Sequence, residues 1–225
     1  MSFGVRLHVW GEFACFTRPE TKVERLSYDV LTPSAARGIL EAIHWKPAIR
    51  WAVTRIHVLK PIRFQSIRRN EVQLKASTAL AERAMQAGNS AGLGIDVVAN
   101  RQQRAATLLV DVGYVIEAQF ALTERAGLDD NAAKHISMFN RRAAAGQCFH
   151  RPCLGTREFA ADFALIGESE ALPPSALPAD QRNRDLGWML HEPDYVHGVA
   201  SQFFRARLED GVLDVAKLVA GGVAT

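Results

Sequence analysis

Apolar residues recur along this chain of 225 residues at two spacings, which alternate from segment to segment. Near the N-terminus, Val5, Leu7 and Val9 alternate with Arg6 and His8, which is the period of a strand with one buried face. Further along, apolar residues recur every three to four positions, as in an amphipathic helix. A chain that alternates between these two periods is expected to pack helices against a sheet.

The first helical pattern lies in the segment LTPSAARGILEAIHWKP, residues 31–47. Thr32 is a suitable N-cap, and Pro33 suits the first helical position, where no backbone N–H is needed. Pro47 is expected to stop the helix. The predicted buried stripe consists of Ala36, Ile39, Leu40 and Ile43.

Strand character returns in three later segments. Between Ala48 and about Arg69, β-branched and aromatic residues predict two short strands, or one long strand bent at Pro61. Further strands are predicted in ATLLVDVGYVIEAQFAL, residues 106–122, and in RPCLGTREFAADFALIG, residues 151–167.

A second helix is predicted to begin at Asn131, which can cap its first turn. Lys134 and His135 lie in that turn about 100° apart, so only one of them can lie at the centre of the buried stripe. The pair is expected to point toward the rim or solvent. We expect the chemistry of the chain in residues 131–159, and the alternative is a surface helix with a solvated basic face. The predicted apolar face consists of Ile136, Phe139 and Ala143.

The predicted order is strand, helix, strand, strand, helix, strand. This is the order of a ferredoxin-like βαββαβ domain, an α+β fold with an antiparallel sheet and both helices on one face. The open face of such a sheet is a common RNA platform. We expect this domain to cover residues 1–167.

Two segments fall outside that order. Residues 70–104 are rich in Ala, Gln and Arg and are interpreted as an insertion, with a short helix from Thr78 to Ala87 and an exposed loop after it. Residues 168–225 combine a Pro-rich linker with a small β-rich appendage, which we expect to pack on the first domain. In that appendage, Asp210 and Gly211 predict a tight hairpin turn.

Charge is distributed unevenly along the chain. Residues 1–157 contain 22 Lys and Arg against 13 Asp and Glu, whereas residues 158–225 contain 5 against 11. A polyanion such as RNA or DNA is the natural partner of a basic region, and an acidic protein neighbour is the alternative. The arginines predicted to bind RNA are Arg63, Arg68, Arg69, Arg141, Arg142, Arg151 and Arg157.

Several classes of protein are disfavoured by composition. No apolar run approaches the roughly 18 residues of a membrane span, and the N-terminus lacks a signal-peptide pattern, so we expect a cytoplasmic protein without a membrane partner. The cysteines are too few for a disulfide framework. Cys148, His150 and Cys153 could suggest zinc, but no second ligand pair completes the site, so a structural role is favoured and no metal or other cofactor is expected. Three tryptophans are interpreted as core or domain contacts rather than base-stacking platforms: Trp45, Trp51 and Trp188.

Three parts of the sequence are distinctive: YDVLTPSAARGILEAIHWKPAI, HVLKPIRFQSIRRNEV, and the Lys134-His135 pair with the later RPCLGTREF. Over roughly residues 3–215 they resemble the type I-C (Dvulg subtype) CRISPR-associated endoribonuclease family, which belongs to a ferredoxin-like RNA-binding superfamily. The resemblance implies a metal-independent nuclease that cuts the repeat RNA of a CRISPR precursor at the base of its stem-loop. It also implies that the enzyme stays in the type I-C interference complex with the other subunits, with double-stranded DNA as a further candidate partner.

The family is associated with a catalytic tyrosine, lysine and histidine. By resemblance, the lysine and histidine correspond to Lys134 and His135, and this chain has His44 where the tyrosine would stand. RNA carries its own nucleophile, the 2′-hydroxyl, so the protein must supply a base, a cation for the phosphorane and an acid for the departing 5′-oxygen. His44 or His135 would be the base, the other histidine the acid, and Lys134 the cation. Alternatively, His44 only caps the end of the first helix.

Two other functions compete with a repeat-processing nuclease. One is a non-catalytic RNA-binding subunit that holds the 5′ handle of the mature guide RNA. The other is a generic ferredoxin-like module that binds RNA or protein. The Lys134-His135 pair together with His44 favours the nuclease over the first, and the family segments argue against the second.

Overall fold

The structure is a computed structural model, which describes residues 4–21, 23–192 and 201–224. It contains nine strands and five helices within those residues. The strands are β1 (Gly4–Ala14), β2 (Arg25–Leu26), β3 (Ile49–Val58), β4 (Phe64–Val72), β5 (Arg101–Leu122), β6 (Asp162–Ile166), β7 (Arg184–Glu192), β8 (Gln202–Leu208) and β9 (Val212–Asp214). The helices are α1 (Pro33–Ile43), α2 (Thr78–Ala87), α3 (Ala132–Ala144), α4 (Ala179–Arg182) and α5 (Val215–Ala220). None of these helices is long and apolar enough to cross a membrane.

A seven-stranded sheet forms the centre of the larger of two compact units. Five of its strands follow the order β6-β1-β5-β3-β9, and the four neighbouring pairs in this order are antiparallel. The other two strands, β2 and β4, also pair with β5. In the middle of the sheet, Leu7 and Ile56 lie on either side of Ile116, and all three are buried. The prediction of an α+β fold with an antiparallel sheet is confirmed.

Helix α1 begins and ends as its sequence predicts. The Thr32 hydroxyl accepts a hydrogen bond from the backbone N–H of Ala35 at 3.3 Å, and Pro33 occupies the first turn. The helix ends at Ile43, and the backbone N–H of His44 donates to the Leu40 carbonyl at 2.9 Å. The four residues of the predicted stripe are all buried in the core.

Helix α3 also begins at its predicted cap, where the Asn131 side chain accepts from the backbone N–H of Lys134 at 2.9 Å. Its buried residues are His135, Phe139 and Ala143. His135 is only 1% exposed, so the prediction that the Lys134-His135 pair faces the rim or solvent is wrong for the histidine. A polar ring can be buried in this way because both of its nitrogens find hydrogen-bond partners.

The strand predicted within residues 151–167 is shorter than expected, since β6 begins only at Asp162. Most of residues 151–161 form a loop on the end of β1, where the backbone N–H of Cys15 donates to the Leu154 carbonyl at 3.0 Å. Gly155 has φ +90°, and a Cβ atom there would lie 1.9 Å from the Cys15 carbonyl oxygen. The loop can therefore approach β1 this closely only with glycine at position 155.

The C-terminal part packs on the same core. β7 and β8 form a two-stranded antiparallel sheet that contributes Met189 and Phe204 to the core, and β9 pairs with β3 at the edge of the large sheet. The turn between β8 and β9 has Asp210 at φ 48° and Gly211 at φ 77°, which are the left-handed values of a tight hairpin turn. The predicted turn is confirmed.

The smaller unit, Ser66–Ala106, consists of most of β4, α2 and the beginning of β5. Helix α2 spans Thr78–Ala87 as predicted; the Ser77 side chain caps it and Gly88 ends it at φ 64°. No residue of α2 is buried. A salt bridge of 3.0 Å joins Arg104 and Glu71 within this unit.

Candidate active site

Two of the three predicted catalytic residues meet where α1 ends and α3 begins. His44 follows the last residue of α1, and His135 lies in the first turn of α3. Their side chains share a hydrogen bond of 3.1 Å between His44 Nε2 and His135 Nδ1. Both rings are buried, with exposed fractions of 0% and 1%. The fold thus brings together two histidines that are 91 positions apart.

A carboxylate extends this pair. His135 Nε2 lies 3.2 Å from Asp130 Oδ1, and Asp130 Oδ2 accepts the backbone N–H of Gly127 at 3.0 Å. The Gly127 N–H, followed by the charge of Lys134, lowers the pKa of Asp130, so this side chain is a carboxylate that can only accept. His135 Nε2 must therefore donate to it. In a neutral His135, Nδ1 then accepts from His44 Nε2–H, and the order is Asp130–His135–His44.

His44 is neutral at neutral pH. Burial of the ring lowers its pKa to about 4, with further contributions from the charges of Arg142, His135 and Lys46. Its other nitrogen, Nδ1, is buried and has no hydrogen-bond partner among the described residues. A neutral imidazole with a free acceptor nitrogen has the form of a general base.

The last carbonyls of α1 are capped by two other side chains. Arg142 Nη1 donates to the Ile43 carbonyl at 3.0 Å, and Trp51 Nε1 donates to the His44 carbonyl at 2.9 Å. The His44 imidazole instead contacts His135. The alternative in which this imidazole caps α1 is therefore wrong.

Lys134 is the accessible member of the three predicted catalytic residues. Its side chain is 42% exposed, and its Nζ donates to the Asp129 carbonyl at 3.2 Å and lies 3.5 Å from Asp130 Oδ1. Asp130 thus contacts both Lys134 and His135. Sequence reasoning missed Asp130; the only feature that pointed to it is its position directly before the N-cap Asn131.

The predicted RNA-binding arginines divide between the two units. In the larger unit, Arg141 and Arg142 lie in the last turn of α3, Arg151 and Arg157 lie in the loop after it, and Arg63 precedes β4. Arg63 pairs with Asp111 at 3.0 Å, and Arg151 pairs with Asp162. In that unit Arg141 is exposed and forms no ion pair with the residues that the structure describes. Arg68 and Arg69 lie in β4 within Ser66–Ala106.

Of the three tryptophans interpreted as core or domain contacts, one lies in the core. Trp51 is buried, and its ring lies 5.0 Å from that of Phe139. Trp45 and Trp188 are 54% and 52% exposed, so neither is a core residue. Trp45 lies in the irregular segment that follows the end of α1.

Cys148 and His150 precede the loop at residues 151–161, and Cys153 lies within it. Across residues 4–21, 23–192 and 201–224, no three His, Cys, Asp or Glu side chains are grouped closely enough to hold a metal ion. Burial raises the pKa of the Cys153 thiol, which keeps it protonated at neutral pH.

Comparison with known proteins gives consistent matches over nearly the whole chain. The chain is 59% identical over 215 residues to the CRISPR pre-crRNA endoribonuclease Cas5d of Mannheimia succiniciproducens, covering 96% of each chain. It is 40% identical over 231 aligned positions to the CRISPR pre-crRNA endoribonuclease Cas5d of Thermus thermophilus, covering 94% of this chain and 90% of that one. A crystal structure of a CRISPR-associated protein superposes with a TM-score of 0.67 at 26% identity, covering 99% of this chain and 96% of that one.

The model of one protein family, described as CRISPR-associated protein (Cas_Cas5), matches residues 4–216. That range includes His44, Asp130, Lys134 and His135, and it covers both helices that form the candidate site. The chain belongs to the Cas5d family of CRISPR-associated proteins.

Proposed function

We propose that this protein is an endoribonuclease that cleaves CRISPR precursor RNA within the repeat, at the base of its stem-loop. The 2′-hydroxyl attacks the adjacent phosphate without help from a metal ion and leaves a 2′,3′-cyclic phosphate. The observation that carries the proposal is the hydrogen-bonded series Asp130–His135–His44 with Lys134 at its exposed end. The activity named for the relatives, processing of CRISPR precursor RNA, supports the same substrate.

Lys134 supplies the positive charge. Its exposed ammonium group can approach a phosphate that lies over the first turn of α3. As the 2′-oxygen attacks, negative charge grows on the non-bridging oxygens of the phosphorane, and a cation at this point stabilises the transition state more than the bound substrate.

The two histidines act together as the base. His44 Nδ1 accepts the proton of the 2′-hydroxyl, and His44 Nε2 passes its own proton to His135 Nδ1. The positive charge then resides on His135, where Asp130 stabilises it. This transfer offsets the weak basicity that burial gives to His44.

The hydrogen bond between the two rings also limits which of the two histidines can act as acid and which as base. In an in-line displacement the attacking and leaving oxygens lie on opposite sides of the phosphorus. Two rings whose nitrogens are 3.1 Å apart lie on the same side. We therefore assign both to the base, and the departing 5′-oxygen takes its proton from Lys134 or from water. Since both rings are buried, surrounding residues must move before His44 Nδ1 reaches the RNA.

We further propose that β1, α1, β3, β5, α3 and β6 form a ferredoxin-like core. Their order along the chain is βαββαβ, and the sheet order β6-β1-β5-β3 places the fourth strand of this core beside the first, followed by the third and the second. Residues of α1 and α3 pack into one core with β1 and β3, as expected for two helices on one face: Leu40, Phe139, Leu7 and Ile56.

We also propose that the protein remains bound to its product RNA as a subunit of the interference complex. Supporting this, the unit Ser66–Ala106 exposes many large apolar side chains, which is typical of a surface covered by a protein partner. They are Leu74, Leu80, Met85, Leu93, Val97 and Val98. Co-purification of this chain with the other subunits, lost on replacing Leu80 and Met85 by serine, tests the assignment.

The decisive experiment incubates purified protein with its own repeat RNA in EDTA. The proposal expects one cut that leaves a 2′,3′-cyclic phosphate, and no cut in an RNA with a single 2′-deoxy nucleotide at the scissile position. Cleavage that requires a divalent metal would overturn the metal-independent mechanism. Tight binding without cleavage would instead favour the non-catalytic subunit that holds the 5′ handle.

A further inference from the structure

Two aromatic side chains are exposed beside the candidate active site. Phe149 is 89% exposed and Trp45 is 54% exposed. The backbone N–H of Phe149 donates to the Ala42 carbonyl at 2.8 Å, two residues before His44, and Trp45 directly follows His44. The His150 ring lies 6.0 Å from the Phe149 ring at an interplanar angle of 85°. We refer to Trp45, Phe149 and His150 as the exposed aromatic surface.

These exposed rings do not contribute to the stability of the core. Large aromatic side chains usually bury most of their area, and a phenylalanine that leaves almost all of its surface in water gives up the stability that burial would supply. The Phe149 backbone is nevertheless held in place by its hydrogen bond to α1. An anchored backbone with a fully exposed ring is suited to binding a flat, apolar partner.

The charges around this surface are predominantly positive. Lys46 follows Trp45, Arg141 and Arg142 lie in the last turn of α3, and Arg151 follows His150. In the described part of the chain, neither Lys46 nor Arg141 forms an ion pair. Two carboxylates linked to this surface have cationic partners: Asp162 pairs with Arg151, and Glu41, which lines a cleft with His150, lies 3.6 Å from Arg37.

Exposed aromatic rings flanked by cations are typical of sites that bind single-stranded nucleic acid. A protein partner is the other common occupant of exposed aromatic side chains, but the centres of protein interfaces are depleted in lysine. The unpaired Lys46 therefore favours a polyanion over a protein, and the unpaired Arg141 is compatible with it.

We propose that Phe149 and Trp45 stack on the unpaired nucleotides of the repeat RNA that lie next to the scissile phosphate. This assignment rests on the proposed function, because it takes the repeat hairpin as the substrate. His44 is covalently adjacent to Trp45 and lies two residues from the anchor of Phe149. Nucleotides held on this surface therefore lie close along the chain to His44, and stacking sets which phosphate reaches Lys134.

Binding of two RNAs to the full chain tests the proposal. One is the repeat hairpin with its single-stranded flanks, and the other is the same hairpin without flanks. Loss of one aromatic–base stack weakens binding by about fivefold to a hundredfold. Phe149→Ala is expected to weaken binding of the flanked hairpin within this range and to leave the unflanked hairpin unchanged, and Phe149→Tyr should restore tight binding. Trp188→Ala is the matched control, because Trp188 is similarly exposed, at 52%, on β7.

A 2-aminopurine base in the flank gives a second readout. Its fluorescence should be quenched on binding to the wild-type protein, and Phe149→Ala should abolish this quenching. Equal loss of affinity for both RNAs would overturn the proposal, as would full binding by Phe149→Leu, because a leucine offers apolar contact without stacking. A wild-type protein that binds both hairpins equally would also overturn it, even if cleavage is normal. Normal Phe149 effects without any cleavage would instead count against the proposed nuclease.

Discussion

His44 Nε2 and His135 Nδ1 are 3.1 Å apart, and this contact joins the end of α1 to the beginning of α3. Because His135 also donates to Asp130, the protonation states of the two rings are linked. A proton taken up at one end of this series changes what the other end can donate. The predictions below separate the contribution of each member from that of the exposed Lys134.

Lys134→Ala is expected to lower the single-turnover cleavage rate by about a hundred- to a thousandfold, because it removes the charge that stabilises the phosphorane. Binding of the repeat hairpin should remain within about twofold, since one lysine among many basic residues contributes little to phosphate affinity. Lys134→Arg is the control that keeps the charge. Equal losses of affinity and rate would contradict the assigned role.

Asp130→Asn is expected to lower the cleavage rate by about ten- to a thousandfold while RNA affinity is kept. The amide cannot stabilise a charged His135, although its oxygen can still accept the Gly127 N–H. Asp129→Asn is the matched control, because the adjacent Asp129 contacts Lys134 through its backbone carbonyl. If both variants lose the same activity, the carboxylate of Asp130 has no specific role.

His44→Ala is expected to lower the cleavage rate by about a hundred- to ten-thousandfold. Because burial lowers the pKa of His44 to about 4, the wild-type rate should fall as the pH drops toward that value. His44→Tyr restores the residue associated with the family, and it should retain partial activity with the inflection moved upward toward the phenol. An unchanged rate for His44→Ala would remove His44 from the mechanism.

Stability should also depend on His44. Burial lowers its pKa to about 4 in the folded protein, from 6.5 for the ordinary side chain. Between these values the unfolded chain binds a proton that the folded chain does not, so the free energy of unfolding falls as the pH falls from 6.5 toward 4. His44→Tyr should flatten this dependence by on the order of 2 kcal/mol. Urea unfolding at about pH 4.5 and 7.5 measures it, and identical slopes for both proteins would contradict it.

The salt dependence of RNA affinity tests the predicted RNA-binding arginines. Arg141→Ala is expected to weaken RNA binding and to reduce the slope of log affinity against log salt by about one. The same test applies to Arg63, Arg68, Arg69 and Arg142, with a smaller effect at Arg63 because Asp111 already neutralises part of its charge. Arg205→Ala, on β8, is the control. If none of the five changes the slope, the RNA binds elsewhere.

Features determined by neighbouring residues were predictable from the sequence. The caps Thr32 and Asn131 fix the beginnings of α1 and α3, and Asp210-Gly211 fixes its turn, because each depends on backbone geometry within a few positions. The stripe of α1 was likewise correct, since every third or fourth residue is apolar.

Features that depend on distant contacts were not predictable. The burial of His135 requires His44 as a partner from another helix, and the periodicity of α3 pointed to Ile136 instead. Residues 151–161 were predicted as part of a strand, but their backbone forms a loop that is bonded to the end of β1 through Leu154, a contact from a distant part of the chain. Of the site residues, Lys134 lay in the segment that the sequence predicted to hold the chemistry, His44 was proposed only through family resemblance, and Asp130 required the coordinates.

Gly155 holds the loop at residues 151–161 against the end of β1. Any side chain at this position would collide with the Cys15 carbonyl, whereas Gly146, with φ +65°, has no atom within 4 Å of its absent Cβ. In a library of random variants, position 155 should therefore tolerate no replacement, while position 146 should accept asparagine at modest cost. Because the loop held by Gly155 follows closely on Phe149, a replacement at position 155 would disturb the exposed aromatic surface through the backbone.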